Sequence, residues 1–222
     1  MSTLFIVPAR TGSTRLPNKN FTPLVGLSPL QRAIRCVRTV IASTDDQLVV
    51  TGDWIPRDEV KENITYHRRP AELATDTASM IYVVLNVLAA FHGPPDQSVI
   101  LVQPTQPLRR PEHLAQACQL LLRYPSVASV AETVTCDKLY RRENEMLVPI
   151  LGGSVERDQN GTPTYRCDGT AYGFRRRWFL DHQTFRDPHH TFTFIIPPDE
   201  TCPLDTPFDR LVASLLLEHA QR

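Results

Sequence analysis

The sequence predicts a layered α/β domain built on a mostly parallel sheet. Short, fully apolar runs rich in β-branched residues alternate along the chain with segments of helical periodicity. Helices placed between successive strands imply parallel pairing through right-handed crossovers. The length of 222 residues suits one domain, or one domain with a lobe, and no Gly/Ser-rich or Pro-rich linker divides the chain.

Leu4 to Val7 is a compact apolar run ending at Pro8, as a buried first strand would. A polar loop rich in turn formers follows to about Pro23. Ser28 and Pro29 then open a helix as cap and first helical residue, with Leu30, Ala33, Ile34, Val37 and Ile41 on one stripe. Leu48 to Val50 reads as the second strand and Ile64 to His67 as a weaker third. Thr75 or Asp76 is expected to cap an apolar helix through Ile81, Val84, Leu85, Leu88 and Phe91. Val99 to Val102 is the clearest buried strand. Pro111 opens a helix carrying Leu114, Ala117, Cys118, Leu121 and Leu122, and Val127 to Val130 is the strand after it. From 132 to 166 the periodicity fades, and Gly152-Gly153 and Asn160-Gly161 suggest hairpins forming a projecting lobe. Thr170 to Phe174 and Phe192 to Ile196 read as later strands. A last helix from Pro207 is expected to bury Phe208, Leu211, Val212, Leu215 and Leu216.

Hydrophobic residues make up 41% and charged residues 22% of the chain, as in ordinary globular proteins. Lys+Arg and Asp+Glu are both 24, so no net basic footprint exists for nucleic acid or an acidic membrane. The apolar opening is short and lacks the basic start of a secretory signal, and no stretch is long enough to span a bilayer. The five cysteines are odd in number, far apart and without a C-x-x-C pair. They read as reduced thiols of a cytoplasmic protein.

Parallel α/β sheets bind ligands beyond the carboxyl ends of their strands, so the loop leaving the first strand comes first. It reads Pro8-Ala9-Arg10-Thr11-Gly12-Ser13-Thr14-Arg15-Leu16-Pro17-Asn18-Lys19-Asn20. Arg10, Arg15 and Lys19 supply cations, while Gly12 and Ser13 allow a tight backbone with N–H donors. Such a loop can wrap a triphosphate, although the Walker spacing is absent. On composition alone a solvated basic loop fits equally well.

The order of residues resembles the signature of the N-acylneuraminate (CMP-sialic acid) cytidylyltransferases and related ulosonic-acid cytidylyltransferases. Two further segments are similar to that family: Arg69-Pro70-Ala71-Glu72-Leu73-Ala74-Thr75-Asp76-Thr77-Ala78-Ser79, and Leu101-Val102-Gln103-Pro104-Thr105-Gln106-Pro107-Leu108-Arg109. The three motifs span roughly the first half of the chain. The resemblance implies a Rossmann-like nucleotidyltransferase fold, a three-layer and mostly parallel sheet with an inserted β-rich lobe. The 132–166 segment stands where that lobe would serve dimerisation or acceptor binding. It implies that Arg10, Gly12, Ser13, Arg15 and Lys19 hold the CTP phosphates, with Arg10 and Lys19 carrying catalysis. Asn20 and Arg69 would seat the nucleotide, and Gln103 would face the acceptor. Asp76 with Thr77 reads instead as a helix cap, Arg109 and Arg110 as surface charges, and Asp53 as structural.

The second half matches more loosely. Tyr165-Arg166-Cys167-Asp168-Gly169-Thr170-Ala171-Tyr172 is similar to the family's R-x-N-G-A-I-Y acceptor segment, so Arg166, Asp168, Gly169 and Tyr172 are implied to bind the acceptor, with Lys138 beside them. Asp168 replaces an Asn. An ionised Asp168 about 4 Å from an acceptor carboxylate would cost roughly 4 kcal/mol, so the acceptor is expected to present an amine or hydroxyl there, or Asp168 to pair with Arg166. Leu204-Asp205-Thr206-Pro207-Phe208-Asp209 resembles the family's D-I-D-T-x-x-D, in which the first two aspartates are associated with Mg²⁺; here the first is Pro203. Asp205 is the remaining ligand, and Asp209 reads as a first-turn acid beside the cap Thr206. The expectation is a homodimeric enzyme moving CMP from CTP to a sugar acid with Mg²⁺. The alternatives are the same chemistry on a phosphonate or other small acidic acceptor, or a non-catalytic nucleotide-binding homologue.

Overall fold

A computed structural model describes residues 2–54, 64–133, 139–149 and 163–220. One seven-stranded sheet organises the chain. Its first strand, β1 (Thr3–Pro8), is buried throughout because strands flank it on both sides. β2 (Gln47–Gly52) and β3 (Thr65–Arg68) extend the sheet to one side, and β4 (Ser98–Leu101) pairs with β1 on the other, all parallel. Beyond β4 lie β8 (Thr164–Arg175), β5 (Ser126–Thr133) and the edge strand β9 (Thr191–Ile195), giving the order β3-β2-β1-β4-β8-β5-β9. β8 runs antiparallel to both of its neighbours, and β5 and β9 are parallel to each other. The sheet is therefore mostly parallel, with one reversed strand inside it.

The side-chain period of two divides the core. Phe5 and Val7 of β1 and Ile100 of β4 face the layer of α1 (Pro29–Val40) and α3 (Pro111–Leu121). Leu4, Ile6, Val99 and Leu101 face α2 (Met80–Ala90) and α4 (Arg176–His182). α1 begins as the sequence predicts: the Ser28 hydroxyl accepts from Gln31 N at 3.1 Å, and the Gln31 amide oxygen accepts from Ser28 N at 2.8 Å. α2 begins later than expected. Ser79 caps it, accepting from Ile81 N at 3.3 Å, which leaves Thr75 and Asp76 outside the helix.

Between Thr133 and Thr164 the chain leaves the sheet, and the last and first residues of β5 and β8 pair across the gap. The described part of this excursion is an antiparallel hairpin, β6 (Tyr140–Glu143) and β7 (Met146–Pro149), forming a two-stranded sheet of its own. Lys138 lies outside the described residues.

A third, smaller core joins Leu16 and Leu24 of the first loop to Leu204, Ala213 and Leu217. Ala213 and Leu217 belong to α5 (Pro207–His219), and they correct the expected face of that helix. Phe208, Leu211 and Leu215 are 71%, 58% and 57% exposed, while Val212 and Leu216 only flank the core. Leu122, expected on the buried face of α3, is likewise exposed. Because Leu217 carries the seam, Leu217→Ala should cost about 2–3 kcal/mol of unfolding free energy. Phe208→Ser and Leu211→Ser should stay within about 0.5 kcal/mol of the unaltered protein in the same urea titrations.

Candidate active site

β1 is the strand at which the order of the sheet turns. From it the chain winds outward through β2 and β3, then returns to place β4 on β1's other edge. Loops leaving the carboxyl ends of β1 and β4 therefore diverge and open a crevice. A cleft of about 410 Å³ occupies it. Its walls carry Arg10, Ser13, Arg15, Lys19 and Asn20 from the first loop, Arg69 after β3, Gln103 and Thr105 after β4, and the carboxylates of Asp76 and Asp205. Four cations against two carboxylates make the cleft a receptor for anions.

The first loop is held by polar contacts at its base. Thr11 donates its N–H and its hydroxyl to Asp53, at 3.0 and 2.6 Å. Burial opposes ionisation of Asp53, but these bonds outweigh it and keep its pKa below the ordinary carboxylate value. Asp53 is thus structural, as the sequence suggested. Asn20 donates its amide N–H to the Arg10 carbonyl at 3.1 Å, so it shapes the loop while lining the cleft. Gly12 does not line the cleft, and a Cβ there would meet only Arg10 Nη1 at 3.8 Å, so this turn does not require glycine. The Ser13 hydroxyl is buried on the cleft wall and has no hydrogen-bond partner among the described residues. A buried hydroxyl left unsatisfied costs about 1–3 kcal/mol, a cost that a ligand oxygen would remove.

Each loop cation meets a carboxylate. Arg10 pairs with Asp76, and that bond, ahead of all else, holds the Asp76 pKa below its ordinary value. Asp76 is therefore an ion-pair partner rather than the helix cap expected of it. Lys19 Nζ lies 3.1 Å from Asp205 and Arg15 3.5 Å from the same oxygen. Arg69 is buried, donates to the Thr51 and Leu73 carbonyls at 2.7 and 3.3 Å, and has its pKa pushed down to about 10 by desolvation. It binds the ends of β2 and β3 together and presents charge to the cleft. Asp209 accepts from Thr206 N at 2.7 Å and Asp205 N at 3.1 Å, fixing the start of α5 and the backbone that carries Asp205.

The residues expected at the acceptor divide. Gln103 lines the cleft, and Gly169 lies against it: with φ of +83° it occupies the left-handed region, and a Cβ there would stand 2.6 Å from Gln103 Oε1. Asp168 is elsewhere. Its buried carboxylate accepts from the hydroxyls of Ser129 and Thr170 and from Thr201 at 3.0 Å, with Thr170 N at 3.2 Å. It is not among the residues lining the cleft, and among the described residues it forms no ion pair with Arg166. Arg166 stands half-buried opposite Ala131, and Tyr172 packs on Phe185 with its pKa raised to about 12 by burial; both lie outside the cleft lining.

Sequence reasoning missed Arg109. Expected at the surface, it is buried and donates to the Thr170 carbonyl at 2.6 Å and to the Gln103 carbonyl. Gln106 joins the same assembly through the Asp168 carbonyl. Both belong to the Gln103–Arg109 motif, which was the available signal.

A cation-lined cleft at the turning point of a mostly parallel sheet is where an α/β protein would bind a phosphate-bearing ligand. The family model described as Cytidylyltransferase matches residues 4–185, and the chain belongs to that family. Over 98% of its length it is 28% identical to the CMP-N,N'-diacetyllegionaminic acid synthase of Legionella pneumophila, covering 97% of that protein. It is 24% identical to the N-acylneuraminate cytidylyltransferase of Streptococcus agalactiae, aligning over its whole length with 55% of that protein. A solved CMP:2-keto-3-deoxy-manno-octonic acid synthetase complexed with CTP superposes with a TM-score of 0.68 at 18% identity, covering 100% of this chain and 99% of that one, a likeness of fold.

The Asp168 cluster yields a test. Asp168→Ala leaves several buried donors unpartnered and should cost about 3 kcal/mol or more in urea unfolding, whereas Asp168→Asn, which keeps one acceptor oxygen, should cost about 1 kcal/mol.

Proposed function

We propose that this enzyme transfers CMP from CTP to a sialic or other ulosonic acid, releasing pyrophosphate, in the cleft between the β1 and β4 loops. The observation that carries this reading is the four-cation wall, with the unpartnered Ser13 hydroxyl among it, at the carboxyl end of β1. The Legionella and Streptococcus relatives, both named for making CMP derivatives of such acids, support the acceptor class. An acceptor hydroxyl oxygen attacks the α-phosphorus, the bond to the β-phosphate bridging oxygen breaks, and pyrophosphate departs with that oxygen. The hydroxyl proton passes to solvent. Little covalent work falls to the protein, so rate comes from alignment and from cations placed where phosphate charge builds. Arg10, Arg15 and Lys19 bind the phosphates, Arg69 and Asn20 seat the nucleotide, and Gln103 orients the acceptor.

Mg²⁺ fits the residues present. Among the described residues no group of three acidic, histidine or cysteine side chains forms a closed cage. Mg²⁺ does not need one, since it commonly takes one or two carboxylates with phosphate oxygens and water. Asp205 on the cleft wall would be its protein ligand, although Pro203 stands where the family has the first aspartate of the pair. The ion, when bound, would neutralise phosphate charge near the α-phosphorus. The hairpin of β6 and β7, with Met146 exposed, and the exposed Tyr165 at the start of β8 would form the pairing surface of a homodimer. Cys36, Cys118, Cys167 and Cys202 are free thiols, which suits a cytoplasmic enzyme.

With CTP, Mg²⁺ and a panel of ulosonic acids, pyrophosphate should appear only when a sugar acid is present. Release with no acceptor in the panel, or equal use of other nucleotides, would overturn the reading. Arg10→Ala and Lys19→Ala should each lower kcat/KM by about 100-fold or more, with unfolding midpoints nearly unchanged.

Asp205→Asn should raise the Mg²⁺ requirement or abolish turnover. Asp209→Asn should retain the Mg²⁺ dependence and lose up to about 1 kcal/mol of stability at the start of α5. Identical Mg²⁺ titrations for the two variants would remove Asp205 as the ligand.

A further inference from the structure

A second cavity, of about 490 Å³, lies between α1, the 107–111 segment and the end of α5. It shares no lining residue with the cleft and is within the size range of small-molecule sites. One wall is cationic. Arg32 and Arg35, three residues apart, lie on one face of α1, and Arg109 and Arg110 stand on the facing segment. Their partners can be accounted for. Arg110 is paired with Glu200 at 2.9 Å, whose other oxygen meets His113 at 2.7 Å. Arg109 donates to carbonyl oxygens, and the buried Asp168 carboxylate offsets its charge in part.

Arg32 donates to the carbonyls of Leu24 and Val25, and its buried Nε has no partner among the described residues. Burial first, and the neighbouring Arg35 second, push its pKa below the usual guanidinium value. Among the described residues neither Arg32 nor Arg35 has a carboxylate within ion-pair distance. The remaining carboxylate of the lining is Asp199, on the exposed rim, and His219 adds a titratable group there. Arg32 and Arg35, two guanidinium groups with no carboxylate partner among the described residues, call for a ligand carrying about two negative charges. The opposite wall is apolar, formed by Leu108, Leu216 and Leu217 among others. The Cys36 thiol, which also lines the cavity, has its pKa raised to about 11 by burial and stays protonated, so capture is non-covalent.

We propose that this cavity is a binding site for a phosphate monoester with an apolar body, held as a dianion by Arg32 and Arg35 with its apolar part against Leu108 and Leu216. It is separate from the CTP cleft. Leu108 and Arg109 on its wall continue the segment whose Gln103, Pro104 and Thr105 line that cleft.

Isothermal titration with phenyl phosphate, run with saturating CTP present, tests this without relying on turnover. One equivalent per chain should bind, and inorganic phosphate and benzoate should each bind more weakly. Arg35 is exposed and not part of the core, so Arg35→Ala should fold normally and bind phenyl phosphate about tenfold or more weakly, as loss of a charge-assisted contact requires. CTP kinetics of that variant should match the unaltered enzyme. Absence of saturable binding, displacement by CTP, benzoate binding as tightly as phenyl phosphate, or unchanged affinity in Arg35→Ala would each overturn the assignment.

Discussion

Lys19 and Asp205 are 186 positions apart in the chain and 3.1 Å apart in space, and the cleft depends on what brings them together. Neither the sheet nor the helices flanking it do so. The work falls to the small third core, in which Leu16 and Leu24, on either side of Lys19, pack against Leu204, Ala213 and Leu217 around Asp205. The Leu204 N–H bond to the Thr105 carbonyl at 2.9 Å ties the same segment to the loop after β4. A single apolar seam therefore sets the positions of three loops. Polar contacts could not do this alone, because exposed ion pairs contribute only about 0–1 kcal/mol each.

The weakness of those pairs suits the cleft. Lys19 and Arg15 share one carboxylate, and Arg10 holds another. The pairing keeps like charges apart along a loop that would otherwise repel itself. On the proposed reading, a triphosphate, which offers more charge than either aspartate, would compete for all three cations at once. Buried Arg69 behaves differently. Its carbonyl partners fix its position, so its field at the cleft requires no rearrangement when a nucleotide arrives.

How much of this was legible depended on the kind of signal. β1, β4 and the start of α1 were plain because their patterns allow one reading: an uninterrupted apolar run, or Ser-Pro before a 3.6-residue stripe. The buried face of α5 was not. Phe208, Leu211, Val212, Leu215, Leu216 and Leu217 surround much of the helix, so periodicity could not choose among faces. The choice falls to Ala213, whose small side chain permits close approach to the first loop. Asp76 was misread for a related reason. Acidic residues ahead of an apolar run are good caps, but its partner, Arg10, lies 66 positions away and leaves no local trace. Arg109 was taken for a surface charge because sequence does not reveal that two carbonyls await it in the interior.

Asp168 shows where likeness of sequence and likeness of role part. In the motif it stands beside Gly169, whose left-handed backbone turns the chain against Gln103. That same turn directs the neighbouring carboxylate inward, onto Ser129 of β5 and Thr201 of the segment leading to Asp205. Carboxylate oxygens accept several hydrogen bonds each, so one side chain can join three segments where an amide, with one oxygen, joins fewer. The exchange of amide for acid therefore bears on how firmly the Gly169 turn and the Asp205 segment are held relative to each other. A substitution beside a binding residue thus changes specificity only if the backbone aims it at the ligand, and here glycine's positive φ aims it at the core.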